Sequence, residues 1–389
     1  MICRAYKRMI FQIFFVLIVF SVSANAGVLT VGDKSNVRIY GFFDYETGYN
    51  NNSRTPFFGS NTAFLHSSSS YYSREQIRLG FVIKGHNLVS NITMDSWPKD
   101  FNLMLGFVKH KLSRHFAITI GRDWSIVNFR YFKYSSYTLR PYVVGFQGSK
   151  RTNQLKITYF NDFGDFALKF STAFEDRLRE DGVVEGKNKM SNSMVNDVNS
   201  NIFAWGLNAK LYVNTGLGKP SELMAFYEVS PAYIYGNFGR KRVFPYVLSA
   251  ATKININKIF FILQDVYEYG MTGIVGIKGN RIKDYSFIYK NHKFFSRKSN
   301  TIGFEIGSRI LRRLFVVGGY TSTIFHGEKF LKGEMKSSDT LFLSSVISTT
   351  RITKLIVLYS YIKNKIASND NIFSTKRGYN FVVAYRYYF

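Results

Sequence analysis

Apolar and polar residues alternate along much of this chain with a period of two. In 37–49, Val37, Ile39, Gly41, Phe43, Tyr45 and Tyr49 share one face, and Arg38, Tyr40, Asp44 and Glu46 share the other. Further on, Ile77, Leu79, Phe81 and Ile83 oppose Gln76, Arg78, Gly80 and Lys84, and Phe166, Leu168, Phe170 and Phe174 oppose Asp165, Ala167, Lys169, Ser171 and Glu175. Phe203, Trp205, Leu207, Leu211 and Val213 oppose Gly206, Asn208 and Lys210; Ile302, Phe304, Ile306 and Ile310 oppose Thr301, Glu305 and Arg309. Leu355, Val357, Tyr359 and Tyr361 oppose Lys354 and Ser360. In the last segment Tyr379, Phe381, Val383, Tyr385, Tyr387 and Phe389 oppose the smaller, more polar set Gly378, Asn380, Val382, Ala384, Arg386 and Tyr388. A period of two predicts β-strands whose two faces meet different surroundings. Each segment has about the length of a tilted membrane-crossing strand, roughly 9–11 residues.

The breaks between segments come in two kinds. Short turns are expected at 85–87, 112–114, 161–164, 214–220, 255–257, 312–313 and 351–353. Longer connections fall near 50–70, 123–149, 176–200, 270–297, 326–338 and 364–375, with two brief ones at 97–100 and 236–240. Seven turns and eight loops make sixteen strands with both ends on one side. The expected fold is all-β: a closed transmembrane antiparallel β-barrel of about sixteen strands. Closure satisfies every backbone group in lipid, and short turns on one side with long loops on the other are usual for such barrels.

The other end of the chain supports export. Arg4, Lys7 and Arg8 precede an apolar run from Met9 to Val22, and Ala24-Asn25-Ala26 forms a small-x-small site before Gly27. This predicts a cleaved signal peptide over 1–26 and a barrel domain over 27–389. Cys3, the single cysteine, lies within the signal, so the mature chain has no thiol chemistry. No later stretch is continuously apolar over a helical span, although 46% of residues are hydrophobic and 17% aromatic. Dispersed hydrophobicity in an exported chain fits barrel strands in the outer membrane of a Gram-negative bacterium. Tyr49, Tyr71, Tyr72, Tyr359, Tyr361 and Tyr387 stand at strand ends, as interfacial girdles require.

Charge sharpens the picture. The formal net charge is +27, lowered by three when the signal leaves. Nucleic acid is excluded as a partner by export and by the scatter of the basic residues; a positive pore or a surface for anionic headgroups fits better. A genome biased toward lysine, asparagine, isoleucine and tyrosine explains the total equally well, so the interior charge is the informative part. Cations expected to face the lumen are Arg38, Arg78, Lys156, Lys169, Lys210, Arg309 and Arg386; those expected on the third loop are Arg122, Arg130, Lys133 and Arg140. Few acids oppose them: Asp44, Glu46, Asp123 and Glu305. Any one of these cations is by itself an ordinary solvated charge. As a set they would favour carboxylates and phosphates in transit.

Enzymatic readings fare poorly. The histidines are His66, His86, His110, His115, His292 and His326. His66 beside Ser67–Ser70 reads as a polar loop, and His110 and His115 bracket a short turn on the side away from the long loops. No metal-ligand spacing and no cofactor motif is present. A non-conducting surface adhesin or antigen is the alternative, because long outer loops would serve it equally.

Three patches carry a family resemblance. Tyr40-Gly41-Phe42-Phe43-Asp44 resembles a porin first strand. Gly121-Arg122-Asp123-Trp124-Ser125 resembles a Gly-Gln-x-Trp-Ser/Thr element leading into the third loop, with Arg122 in place of glutamine. Arg151-Thr152-Asn153-Gln154-Leu155-Lys156 resembles the Arg-x-x-Gln-x-basic strand that leaves it. The chain thus resembles Gram-negative trimeric general porins, most nearly the DcaP-like porins, without their N-terminal helical extension. The resemblance implies a homotrimer, a third loop folded into the lumen, small anionic solutes such as dicarboxylates, and recognition of Phe389 by the barrel-assembly machinery.

Overall fold

In the computed structural model the described residues are 28–30, 36–50, 70–96, 102–126, 151–176, 195–200, 204–217, 219–229, 232–236, 239–270, 287–290, 293–296, 298–327, 330, 335–369 and 372–389. Sixteen antiparallel strands close into one barrel. They are β1 (Asn36–Asn50), β2 (Ser70–Lys84), β3 (Leu88–Asp95), β4 (Asn102–Lys111), β5 (Phe116–Trp124), β6 (Arg151–Asp162), β7 (Phe166–Asp176) and β8 (Ala204–Val213). They continue as β9 (Ser221–Val229), β10 (Tyr246–Ile256), β11 (Ile259–Tyr269), β12 (Lys298–Leu311), β13 (Leu314–His326), β14 (Met335–Ser348), β15 (Thr353–Asn369) and β16 (Ile372–Tyr388). Each pairs with the next in sequence, and β16 returns to β1 with Phe42 opposite Tyr388 and Asn50 opposite Asn380. Closure leaves no open sheet edge.

Phe389 completes the seam. Its backbone exchanges hydrogen bonds with Gly41 (Gly41 N to Phe389 O 3.1 Å, Phe389 N to Gly41 O 3.2 Å). A Cβ on residue 41 would fall 2.5 Å from the Phe389 ring, so glycine there gives the ring its seat.

The alternation read from sequence is the alternation of the wall. Outward positions are apolar and exposed, among them Ile120, Leu263, Leu343 and Phe381. A continuous exposed apolar belt is the reverse of a soluble surface and marks the face that meets lipid. Aromatic rings bound it. Near the loop end Trp205, Tyr227, Tyr246 and Tyr269 form a chain of ring contacts at 6.5, 6.2 and 5.3 Å. Near the turn end Phe116 meets Tyr159 at 5.1 Å and Phe163 stacks on Phe166 at 4.7 Å.

All seven turns join the strands where the sequence places them, and the loops differ in two respects. The brief connection expected at 236–240 belongs to a longer one: β9 ends at Val229, and Ala232–Gly236 and Gly239–Val243 pair as a hairpin that adds to Val195–Ser200 in a separate three-stranded sheet. The long loop expected at 364–375 is absent, because β15 and β16 run on to Asn369 and Ile372 in continuous register. Lys363, Lys365, Thr375 and Arg377 look like loop residues only because the outer face turns polar above the membrane belt. The expected signal peptide lies outside the described residues.

Inside, the barrel has two unlike walls. From β2 to β8 the inward positions are mostly polar or cationic. From β9 to β16 many are apolar: Met224, Phe226, Val247, Phe260, Ile262, Val266, Val317, Phe342, Leu358, Ile362 and Val382 join one buried cluster. The sequence reads the inner face as small, polar or charged, and this half departs from that reading. Segments such as Ile259-Phe260-Phe261-Ile262-Leu263 are apolar on both faces, so no alternation marks the lumen side.

Candidate functional site

The polar wall encloses a luminal cavity of about 380 Å³. β3 to β8 and the first residues after β5 build it. Four lysines line it, Lys109 from β4, Lys156 from β6, Lys169 from β7 and Lys210 from β8, with one carboxylate, Asp123. Asn91, Thr119, Thr158, Ser171 and Asn208 supply neutral polar groups, and Phe107 and Trp124 supply ring surface.

Register explains the convergence. Lys109 and Lys156 both stand opposite Thr119, so they are two strands apart in one hydrogen-bonded row. Lys169 and Lys210 are direct cross-strand partners. Like charges so placed disfavour each other, and they create a field that attracts anions. Lys156 Nζ lies 2.6 Å from Asp123 Oδ2, which offsets part of that field.

The row through Lys109, Thr119 and Lys156 continues around the barrel through Ala173, Gly206, Glu228, Val247 and Glu268. Because barrel strands are tilted, this row also climbs the barrel axis, from Lys109 near the turn end of β4 to Glu268 near the loop end of β11. Glu46, Glu175, Glu228 and Glu268 are all fully buried. The expected shortage of luminal acids is thereby corrected. Glu175, Glu228 and Glu268 belong to the lumen, as do Glu222, which meets Lys253 at 3.7 Å, and Asp95.

The remaining expected cations separate into groups. Arg386 pairs with Asp44 at 2.7 Å, both buried, and Arg78 pairs with Asp95 at 2.7 Å. Both guanidiniums also lie over the Phe42 ring, at 4.7 and 4.9 Å from its centroid. These two arginines face the lumen as neutralised ion pairs outside the cavity. Arg38 and Arg309 are inward but exposed at the turn end, away from the lysines. Arg122 is a correction, because it faces outward. Gly121 and Asp123 occupy the inward positions opposite Gln154 and Thr152, while Arg122 stands opposite Asn153 and its Nε donates to Met104 O at 3.2 Å. Gly121 has φ +113°, and a Cβ there would meet Gly106 O at 2.3 Å, so the strand bends at a position only glycine tolerates.

Arg130, Lys133 and Arg140 lie outside the described residues, as does the third loop from 127 to 150. Ser125 and Ile126, the last described residues before it, turn into the lumen. Ser125 Oγ donates to Glu175 Oε2 at 2.6 Å, Ile126 N donates to the same carboxylate, and Asn208 Nδ2 donates to Ile126 O at 3.2 Å. Ile126 joins the apolar cluster of the far wall.

Sequence reasoning missed Lys109, Asn91 and Asn208's grip on the loop. The register of β3 and β4 shifts between Thr93 and Met94, which blurs the period over Leu103-Met104-Leu105. Only Phe107 and Lys109, opposite Gly121 and Thr119, restore the phase.

No family model and no curated protein sequence matches the chain. Solved structures do. The outer membrane channel DcaP of Acinetobacter baumannii superposes with a TM-score of 0.66 at 12% identity, covering 93% of this chain and 100% of that one. The fold is that of the outer-membrane porins. An anion-selective porin from Comamonas acidovorans matches with a TM-score of 0.54 at 14% identity, over 92% of this chain and 100% of that one. OmpT of Vibrio cholerae in a trimer form matches with a TM-score of 0.55 at 10% identity, over 92% and 100%. In the porin fold the lysine cavity lies inside the barrel, beside the point where the third loop leaves the wall.

Proposed function

We propose that this porin-fold chain is an outer-membrane diffusion channel for small hydrophilic solutes that favours anions, dicarboxylates among them. The observation that carries this reading is the lumen cavity lined by four lysines and one aspartate. An anion passing there gains from several ammonium groups at once, and a cation loses by the same amount. At about 8 Å in a wet lumen each unit charge contributes roughly 0.5 kcal/mol, a factor of about two for each ion and of about five in the anion-to-cation ratio. Solutes run along the β3–β8 wall, because the other wall is packed. The neighbours named anion-selective porin and trimer form support selectivity of this sign and a homotrimer. Residues 1–26 act as the cleaved signal, and Phe389 serves as the recognition element for the barrel-assembly machinery.

One observation favours the rival reading of a non-conducting surface barrel: the buried apolar cluster on the inward face of β9–β16. A single experiment separates them. The mature protein in planar bilayers, under a salt gradient, should conduct with an anion-selective reversal potential. Lys169→Glu with Lys210→Glu should shift that potential toward cations. Folded protein that does not conduct would establish the rival, and cation selectivity of the unaltered channel would remove the lysine argument.

A further inference from the structure

Charge is sorted along the axis of the barrel. At the turn end, inward positions carry Arg38, Lys84, Lys111, Lys253, Arg309 and Lys354. Lys84 and Lys111 end β2 and β4, Lys354 is the second residue of β15, and Arg38 is the third of β1. Arg309 and Lys253 stand two and three residues short of the ends of β12 and β10. Arg38, Lys84, Lys111 and Arg309 are exposed. Two inward acids share this level: Glu222, 3.7 Å from Lys253, and Asp162, opposite Ala167.

Toward the loops the order reverses. Glu46 lies ten residues above the first residue of β1, Glu175 and Glu268 nine above those of β7 and β11, and Glu228 seven above that of β9. Lys376, opposite Asn364, is an inward cation at that end. The four glutamates are buried, and any charge they carry has the sign that widens the contrast with the turn end. Arg38 and Glu46 are eight residues apart on one strand, roughly 20 Å along the axis at the usual barrel tilt. The Debye length at 0.1 M salt is about 10 Å, so the two zones act on a passing ion one after the other.

We infer that this pore rectifies: at low salt it passes more current with the loop side positive than with the loop side negative. The inference rests on the reading of the chain as a conducting channel. The turn-end ring enriches anions and repels cations, so anions carry the current through it. Above the ring both kinds of ion carry current. With the loop side positive, the ring delivers anions upward faster than the mixed zone carries them on, and cations descending from the loops stop at the ring. Both accumulate at the boundary and conductance rises. The opposite field drains both ions from the boundary and conductance falls. Carboxylates on the loop side favour the same polarity, because they conduct cations down to the boundary.

Single channels of the mature protein in planar bilayers, with equal salt on both sides, test this. Biotin on His86→Cys, an exposed turn position, fixes the orientation, because streptavidin is too large to pass and binds from the turn side alone. In about 0.1 M potassium chloride, at about 100 mV of either sign, the current with the loop side positive should be larger by about 1.5-fold or more. The ratio should fall to near unity in about 1 M salt, where the Debye length is about 3 Å. Lys84→Glu with Lys111→Glu should bring the low-salt ratio close to unity while the channel still conducts. Should that double variant not fold, Arg309→Gln alone should lower the ratio part of the way. Equal currents at both polarities, a larger current with the loop side negative, or a ratio untouched by the ring variants would each overturn the inference and leave the channel in place. Folded protein that carries no current would remove the channel reading and the inference with it.

Discussion

The two walls of this barrel solve different problems with the same strand geometry. The β3–β8 wall keeps ammonium groups, hydroxyls and amides around open space. The β9–β16 wall buries isoleucine, leucine, phenylalanine and valine and places its carboxylates out of solvent. An inner face can do either because lipid stabilises the outer face of every strand alike. The difference teaches that stability and selectivity reside on opposite sides of the lumen. Substitutions in one wall should change folding, and substitutions in the other should change permeation.

The largest effect should follow a charge placed in the packed wall. Leu358 is 2% exposed, with Ser344 and Val382 as its cross-strand neighbours. Leu358→Asp should destabilise the barrel by about 4 kcal/mol or more, because a carboxylate there lacks both water and a cationic partner. Urea unfolding in lipid vesicles reads it, and a shift below 1 kcal/mol would break the comparison.

Next comes the buried ion pair. Asp44→Asn leaves Arg386 buried beside a neutral amide and should cost about 3 kcal/mol. Asp44→Leu with Arg386→Met should recover much of that loss, by the same unfolding measurement.

Gly121→Ala tests the polar wall's own backbone. It should cost about 2 kcal/mol, because φ +113° and the contact with Gly106 O exclude a side chain. Its selectivity should also change, since Asp123 and Ser125 follow it into the cavity.

The smallest stability effect belongs to the lysines. Lys169→Gln or Lys210→Gln should leave the unfolding midpoint within about 0.5 kcal/mol, as each relieves a like-charge contact. Each should still lower the anion-to-cation permeability ratio about fivefold. A large stability loss with no change in permeability would invert the roles assigned to the walls.

Most of the barrel was legible because alternation is strong wherever lipid faces one side and water the other. Phe166–Glu175 and Gly378–Phe389 show this. The packed wall was illegible for the same reason: around Phe260 and Ile262 both faces are apolar, and a period of two has nothing to contrast. Arg122 misled because its neighbours in sequence, Gly121 and Asp123, belong to the site while its own side chain takes the opposite face. Arg78 and Arg386 were rightly placed on the inward face, but no spacing reveals that Asp95 and Asp44 neutralise them. Lys109 was hidden by the register shift in β3 and β4. The long hairpin of β15 and β16 passed for a loop because its outer residues are cationic above the belt.

The most direct measurement asks which wall borders the conducting path. The only cysteine, Cys3, lies in the expected signal, so single cysteines in the mature chain report without background. Asn91→Cys lines the cavity, and Thr340→Cys faces the lumen from the packed wall. A small anionic methanethiosulfonate reagent should react with Asn91→Cys and reduce bilayer current, while Thr340→Cys conducts normally and stays unmodified. Equal modification and equal block at both positions would contradict a path confined to the lysine wall.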